Sequence, residues 1–333
     1  MKRYGLNRVL DIVIIGAGPA ALSALHAAKQ AGLDAVALDK GPICGALVSH
    51  PTYMRWFSTS DRLELAGFPL ITMEKSPTRQ EYLKYCRAFV KYFDLKIVTY
   101  HEVIAITAED GLFRITVRDL FGREGVWQAH NAIFATGFYD APRPLGVLGE
   151  DLPKVSHRYT EAHFYADQDV LVIGGGSSAA EVALDLWRNG ARVTAVMRGD
   201  RFDTKYWIDP DIENRIAEGS ITCYRGAEVV EIRMDEVVLV DATGKPVQIA
   251  NDFVLAMTGY EPDTRLLESL GVRVDPETKK PALTENMETN VPGVYVAGTL
   301  CAGCETNTVF VENSRDHGPR IVAHILARRK SGG

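Results

Sequence analysis

The sequence predicts an α/β fold of two parallel-sheet domains, one inserted into the other. Three observations carry that expectation. A glycine turn, Gly16-Ala17-Gly18-Pro19-Ala20-Ala21, follows an apolar run at residues 11–15. A second, Gly174-Gly175-Gly176-Ser177-Ser178-Ala179, follows a like run at 169–173. A late apolar run, Val294-Tyr295-Val296, supplies a final strand that the first lobe otherwise lacks.

Asp11-Ile12-Val13-Ile14-Ile15 is β-branched and short, the pattern of a strand buried on both faces of a parallel sheet. Residues 19–30 are mostly small and helix-forming, and Gly32 supplies their stop. Ala35-Val36-Ala37-Leu38 is a second strand, ending at Asp39. The glycine spacing has a chemical logic. Gly16 permits a tight turn, and Gly18 lets the backbone approach a diphosphate, whose charge meets free N–H groups at the helix start. Ala21 keeps helix and strand close. Asp39, roughly twenty residues on, is placed to accept hydrogen bonds from a ribose.

Beyond this unit, residues 42–75 contain His50-Pro51-Thr52-Tyr53 and Phe57-Ser58-Thr59-Ser60, an irregular loop suited to covering a ligand. Residues 79–93 form a helix, and residues 95–130 form strands, with 113–117 alternating after the turn at Asp110-Gly111. Residues 132–137 are a buried strand closing on a glycine turn, and Pro142 and Pro144 punctuate the exit.

The second unit repeats the first: a strand at 169–173, a helix at 177–189 stopped by Gly190, and a strand at 191–197. Its second strand ends at Arg198, with Arg201 close by, where an acid would suit a free ribose hydroxyl. An arginine suits a 2′-phosphate, so this site prefers NADPH to NADH. After strands near 221–250, Met257-Thr258-Gly259 echoes Ala135-Thr136-Gly137. A last helix is expected near 307–328. The expected division is 1–150 with 285–333 as the first domain and 151–284 as the second, with hinges near Ala141-Pro142 and at 280–292.

With 333 residues and a net charge of −6, the chain has the length of two domains and no basic nucleic-acid footprint. No apolar run reaches membrane-spanning length. The basic start, Met1-Lys2-Arg3, runs into the first strand without a signal-peptide pattern. Five cysteines, an odd and sparse set, do not make a secreted disulfide framework. A cytoplasmic, reducing location follows as the expectation.

As a set, the two glycine turns, Ala135-Thr136-Gly137, Thr258-Gly259 and Val294-Tyr295-Val296-Ala297-Gly298 resemble the flavoprotein reductases that bind two dinucleotides. The resemblance narrows to the bacillithiol disulfide reductase (YpdA) family on further segments spread over most of the chain. These are His50-Pro51-Thr52, Phe57-Ser58-Thr59-Ser60, Asp151-Leu152-Pro153-Lys154-Val155, Glu161-Ala162-His163, Ala256-Met257-Thr258-Gly259-Tyr260 and Asn307-Thr308-Val309-Phe310-Val311-Glu312-Asn313. The resemblance implies two Rossmann-like dinucleotide-binding domains of the thioredoxin-reductase-like type, FAD in the first and NADPH in the second. It also implies reduction of a low-molecular-weight thiol disulfide, and a homo-oligomer.

Under the resemblance, Gly16, Gly18, Pro19, Ala20, Asp39, Lys40, Thr136, Gly137, Gly298 and Thr299 contact FAD, and Val103 meets its adenine through the backbone. Gly174, Gly175, Gly176, Ser177, Ser178 and Arg198 hold NADPH. Three positions depart from the pattern. Ala20 stands where the family commonly has a cysteine after the proline, and residues 155–170 hold no C-x-x-C. Thr299 stands where the broader class has an aspartate after the glycine.

Cys301-Ala302-Gly303-Cys304 lies between the last strand and the last helix. A thiol at a helix N-terminus has its pKa lowered, so Cys301 and Cys304 are the candidate catalytic pair, one attacking a disulfide and the other resolving it. Inert packing is the competing reading, and a zinc site is disfavoured for want of a second pair. Cys44, Cys86 and Cys223 have no such setting. His50, His157, His163 and His317 have no acid–base partner that spacing can assign. Glu305, Glu312 and the basic Arg328-Arg329-Lys330 decorate the end of the chain. Two alternatives stay open beside the disulfide reductase: a reductase of an electron-carrier protein such as ferredoxin, and a flavin-bearing redox sensor.

Overall fold

The computed structural model describes residues 8–139, 141–305 and 308–331. The Met1-Lys2-Arg3 start and Asn307 lie outside the described residues. The chain divides into two compact units. The first takes the chain up to Val48, Tyr53–Ala141 and everything from Tyr260 on; the second takes Ser49–Thr52 and Pro142–Gly259.

In the first unit the strands Ile97–Val98, Ala35–Leu38, Val9–Ile15, Glu124–Phe134, Leu112–Asp119 and His101–Glu109 lie in that order, and Val294–Val296 also pairs with Glu124–Phe134. Successive side chains of Val9–Ile15 enter opposite cores, which is why residues 12–15 are all apolar. Ile12 and Ile14 enter one core with Leu22 and Leu25 of helix Pro19–Gln30 and Ile321 and Ile325 of helix His317–Ser331. Leu10, Val13 and Ile15 enter another with Val103, Ile106, Phe113 and Ile115 of the antiparallel strands. Each such fully buried side chain contributes roughly 1.5–3 kcal/mol.

The second unit has parallel strands in the order Thr222–Tyr224, Arg192–Val196, Asp169–Ile173, Phe253–Ala256 and Val155–Ser156. It is covered by helix Ser177–Arg188 and carries a separate antiparallel sheet of Glu228–Ile232, Glu236–Val240 and Pro246–Ala250. Its central strand splits in the same way, with Val170 and Val172 in one core and Leu171 and Ile173 in the other.

The unit boundaries differ from the expected ones for packing reasons. Leu267 and Val272 are buried in the same cluster as Val103 and Val294, which puts residues 260–284 in the first unit. Leu145 and Val147 pack with Ile232 and Val254, which puts residues 142–150 in the second. The 280–292 stretch is therefore internal to the first unit. Tyr139 stacks on Tyr260 with ring centroids 4.0 Å apart, so both ends of the excursion are tied within that unit.

The expected 307–328 helix is broken in two, Val311–Ser314 and His317–Ser331. Pro319 has no N–H to give the Arg315 carbonyl one turn back. That carbonyl instead accepts from the Ser23 hydroxyl of helix Pro19–Gln30. Gly318 faces Ala24 so closely that a Cβ would lie 2.4 Å from its Cα, which brings the two helices together.

Candidate functional site

Register brings the predicted first-site residues together. Leu38, Ile15, Phe134 and Val296 are neighbours across four adjacent parallel strands. The segments that follow them, starting at Asp39, Gly16, Ala135 and Ala297, therefore share the carboxyl edge of the sheet, where ligands of open α/β sheets bind. Gly16 has φ +107°, and its N–H donates to the Leu38 carbonyl at 2.7 Å. A Cβ there would sit 2.5 Å from the Ala135 oxygen, so only glycine fits. Gly18 is the N-cap of helix Pro19–Gln30, without a side-chain cap, and a Cβ on it would meet nothing within 4 Å. The helix start thus has no side chain capping its backbone N–H groups, which leaves them to an anion.

Asp39 fixes the turn. Its Oδ2 accepts from the Ala17 N–H at 2.6 Å and its Oδ1 from the Gly41 N–H at 2.7 Å. Lys40 next to it is exposed. Gly137 lies against Thr299, whose hydroxyl would be 3.4 Å from an added Cβ, and Gly298 lies against Ala20 at 2.9 Å on the same measure. Val103 is buried within strand His101–Glu109, where the pairing carries a bulge.

The second site repeats this construction. Tyr224, Val196, Ile173 and Ala256 are in register. Gly174 has φ +142°, its N–H donates to the Val196 carbonyl at 2.9 Å, and a Cβ on it would sit 2.4 Å from the Met257 oxygen. Gly175 lies against Met197. Gly176 caps helix Ser177–Arg188 without a side-chain bond and with open space around it, ahead of Ser177 and Ser178. Arg198 is exposed and makes no hydrogen bond or ion pair among the described residues, while Arg201 reaches Asp209 at 3.4 Å. One contact was not legible from spacing: the Asp203 N–H donates to the Gly175 carbonyl at 2.7 Å, so a loop near 200–205 buttresses the turn.

The structure corrects the setting of the cysteine pair. Cys301 lies in a 3-10 turn, Gly298–Ala302, and no long helix starts there. Burial pushes its thiol up to about 12, the reverse of the expected activation. Its Sγ lies 3.5 Å from the Val296 carbonyl and 3.8 Å from His317 Nδ1. Cys304 is half-buried, and its N–H donates to the Thr278 carbonyl at 2.7 Å. His317 lies beside this turn. Its Nδ1 accepts from the Gly298 N–H at 3.2 Å, and burial lowers its pKa. His157 instead pairs with Glu150 at 3.0 Å in the second unit, and His163 is exposed.

Two glycine cradles of one design, each with an uncapped helix start and a strand end beside it, define an oxidoreductase that uses two dinucleotides. The residues fit the pair: an uncapped helix start without an acid in its first turn in each unit, a carboxylate at Asp39 for a ribose, and an exposed cation at Arg198. A model of the pyridine nucleotide-disulphide oxidoreductases matches residues 13–298, and the chain belongs to that family, in its bacillithiol disulfide reductase branch. It is 41% identical over 320 residues to bacilliredoxin reductase Bdr of Bacillus subtilis (strain 168), covering 95% of this chain and 97% of that one. The solved bacillithiol disulfide reductase Bdr (YpdA) from Bacillus cereus superposes with a TM-score of 0.94 at 36% identity, over 96% of this chain and 100% of that one. Its counterpart from Staphylococcus aureus gives 0.91 at 35%, over 97% and 99%. The chain is an oxidoreductase with FAD and NADPH as its coenzymes. Among the described residues no helix is long and apolar enough to cross a membrane.

Proposed function

We propose that this chain reduces the disulfide of a low-molecular-weight thiol, bacillithiol disulfide being the substrate for which its Bacillus cereus and Staphylococcus aureus relatives are named. The overall reaction is NADPH + H⁺ + RSSR → NADP⁺ + 2 RSH. Bound FAD supplies the two-electron carrier between NADPH and the disulfide. The observation that carries the reading is the matched pair of cradles, in which a Cβ on Gly16 or Gly174 would strike the neighbouring strand-end carbonyl at 2.5 or 2.4 Å.

Gly16, Gly18, Pro19, Ala20, Asp39, Lys40, Val103, Thr136, Gly137, Gly298 and Thr299 would hold FAD. Gly18 and Pro19 present the helix start to the diphosphate, and Asp39 takes the ribose. Gly174, Gly175, Gly176, Ser177, Ser178 and Arg198 would hold NADPH, with Arg198 facing the 2′-phosphate. A thiol relay through Cys301 and Cys304 would have to begin at Cys304, because burial keeps Cys301 protonated. His317, neutral and accepting from Gly298, holds the turn that carries Thr299. A cytoplasmic location is supported by five free cysteines, and a homo-oligomer by the resemblance to related reductases.

The test is NADPH oxidation by the FAD-loaded protein with bacillithiol disulfide, with ferredoxin, and with neither. Turnover with the small disulfide supports the proposal. Turnover with ferredoxin alone selects the electron-carrier reductase, and negligible turnover with every acceptor selects a redox sensor.

A further inference from the structure

The first unit holds a cleft of about 670 Å³ that shares no residue with the coenzyme contacts. Its size falls within the roughly 300–1,000 Å³ of small-molecule sites. Phe57, Ser60, Arg62, Thr72, Glu74 and Lys75 are among its walls. We infer that this cleft receives the zwitterionic arms of the disulfide substrate, an inference that rests on the disulfide-reductase reading above.

The charges on the walls are not alike. Asp61 is occupied by the Thr59 hydroxyl, which with other contacts lowers its pKa, and Glu64 Oε1 accepts from the Leu70 N–H at 3.1 Å. The side chains of Arg62, Lys75 and Glu74 make no hydrogen bond or ion pair among the described residues. Two cations and a carboxylate therefore stand among the walls of one cleft, Arg62 sharing its charge with the adjacent Asp61 while Lys75 and Glu74 have no such neighbour. Beside them the Ser60 and Thr72 hydroxyls lie 2.6 Å apart. That set matches a ligand with carboxylates, an ammonium and sugar hydroxyls. Each half of bacillithiol disulfide carries malyl carboxylates, a cysteinyl ammonium and a glucosamine ring.

The wall is fixed before any ligand arrives. Arg315 Nη1 donates to the carbonyls of Asp61, Arg62 and Glu64 at 3.2, 2.9 and 3.0 Å. Phe57 meets Phe310 edge-on with centroids 5.9 Å apart. Both contacts come from the stretch that follows the Gly298 turn, so the cleft is built onto the segment that bears the first coenzyme site. Preorganised walls of this kind hold a ligand without an ordering cost. Ile71, on the wall, is 89% exposed.

The experiment is calorimetric titration of bacillithiol disulfide into the oxidised FAD-loaded protein, compared with Arg62→Glu and Lys75→Glu. Both side chains are exposed, and the Arg62 carbonyl bound by Arg315 is untouched. Dissociation constants raised roughly tenfold or more in each variant are expected, with uncharged hydroxyethyl disulfide failing to compete. Equal affinity in the wild type and both variants, or no binding by the wild type, overturns the inference. So does loss of affinity for a bacilliredoxin-like protein while the small disulfide binds all three proteins alike, which makes the cleft a protein-docking surface. Turnover is scored separately. Wild-type turnover with unchanged variant affinity sinks the cleft and keeps the enzyme, whereas Arg62-dependent binding without turnover sinks the enzyme reading and keeps the cleft.

Discussion

Cys301 Sγ lies 3.8 Å from His317 Nδ1, and both groups are held neutral. Such a pair in an active thiol enzyme would share a proton as thiolate and imidazolium. Here burial raises the thiol to about 12 and lowers the imidazole, while the Gly298 N–H already uses the Nδ1 lone pair. Alkylation with iodoacetamide near neutral pH, followed by peptide mass spectrometry, is expected to label Cys304 well before Cys301. Labelling of Cys301 as fast as a free cysteine would restore it as an attacking thiol.

His317 also sets a pH dependence. Its folded pKa is depressed below 6.5, first by burial and then by Arg320, against the opposing pull of Asp316. The unfolded chain therefore takes up the proton first as pH falls. The contribution is complete above pH 6.5 and is lost as pH drops through the folded value. Melting temperature should fall with acidification over that window, and less steeply in His317→Gln. His26, also depressed by burial, adds a slope of the same sign that remains in the variant. An identical slope in both proteins would show that His317 is not the group responsible.

Gly16→Ala and Gly174→Ala separate the two coenzymes. Each places a Cβ in a left-handed backbone and against a carbonyl oxygen, at a cost of roughly 2 kcal/mol or more. Gly16→Ala is expected to purify with little flavin. Gly174→Ala is expected to stay yellow, with a KM for NADPH raised roughly tenfold or more. Flavin content and steady-state kinetics check both. Loss of flavin from Gly174→Ala would reverse the assignment.

Arg198→Ala should erase the preference for NADPH. A free guanidinium on a phosphate is a charge-assisted contact, so kcat/KM for NADPH should fall roughly tenfold to a hundredfold while that for NADH moves little. A parallel fall with both coenzymes would place Arg198 away from the 2′-phosphate.

The cradles were legible because they are local. A β-branched run, a glycine turn and a helix of small residues fall within about thirty positions, and the turn geometry follows from glycine itself. The helix at Arg79–Tyr92 is local as well, its start closed in the structure by a Thr78–Glu81 capping box. What stayed hidden depends on distant packing. Nothing near Leu267 in sequence reveals that it joins Val103 in a core, and so the unit boundary was displaced. The break before His317 needed Ser23 to take the carbonyl that Pro319 leaves unused. Cys301 appeared activated because its neighbours in sequence suggest a helix start, whereas its neighbours in space are Val296 and His317.

The central claim is that one chain passes an electron pair from NADPH to FAD without storing further electrons on Cys301 and Cys304. Anaerobic titration of the FAD-loaded protein with NADPH tests it most directly. About one equivalent of NADPH per flavin should bleach the yellow absorbance, with no further uptake, in the wild type and in Cys301→Ser alike. A flavin that stays oxidised through excess NADPH would contradict the two-coenzyme account. Uptake of about two equivalents, falling to one in Cys301→Ser, would contradict the assignment of Cys301 as a packing thiol.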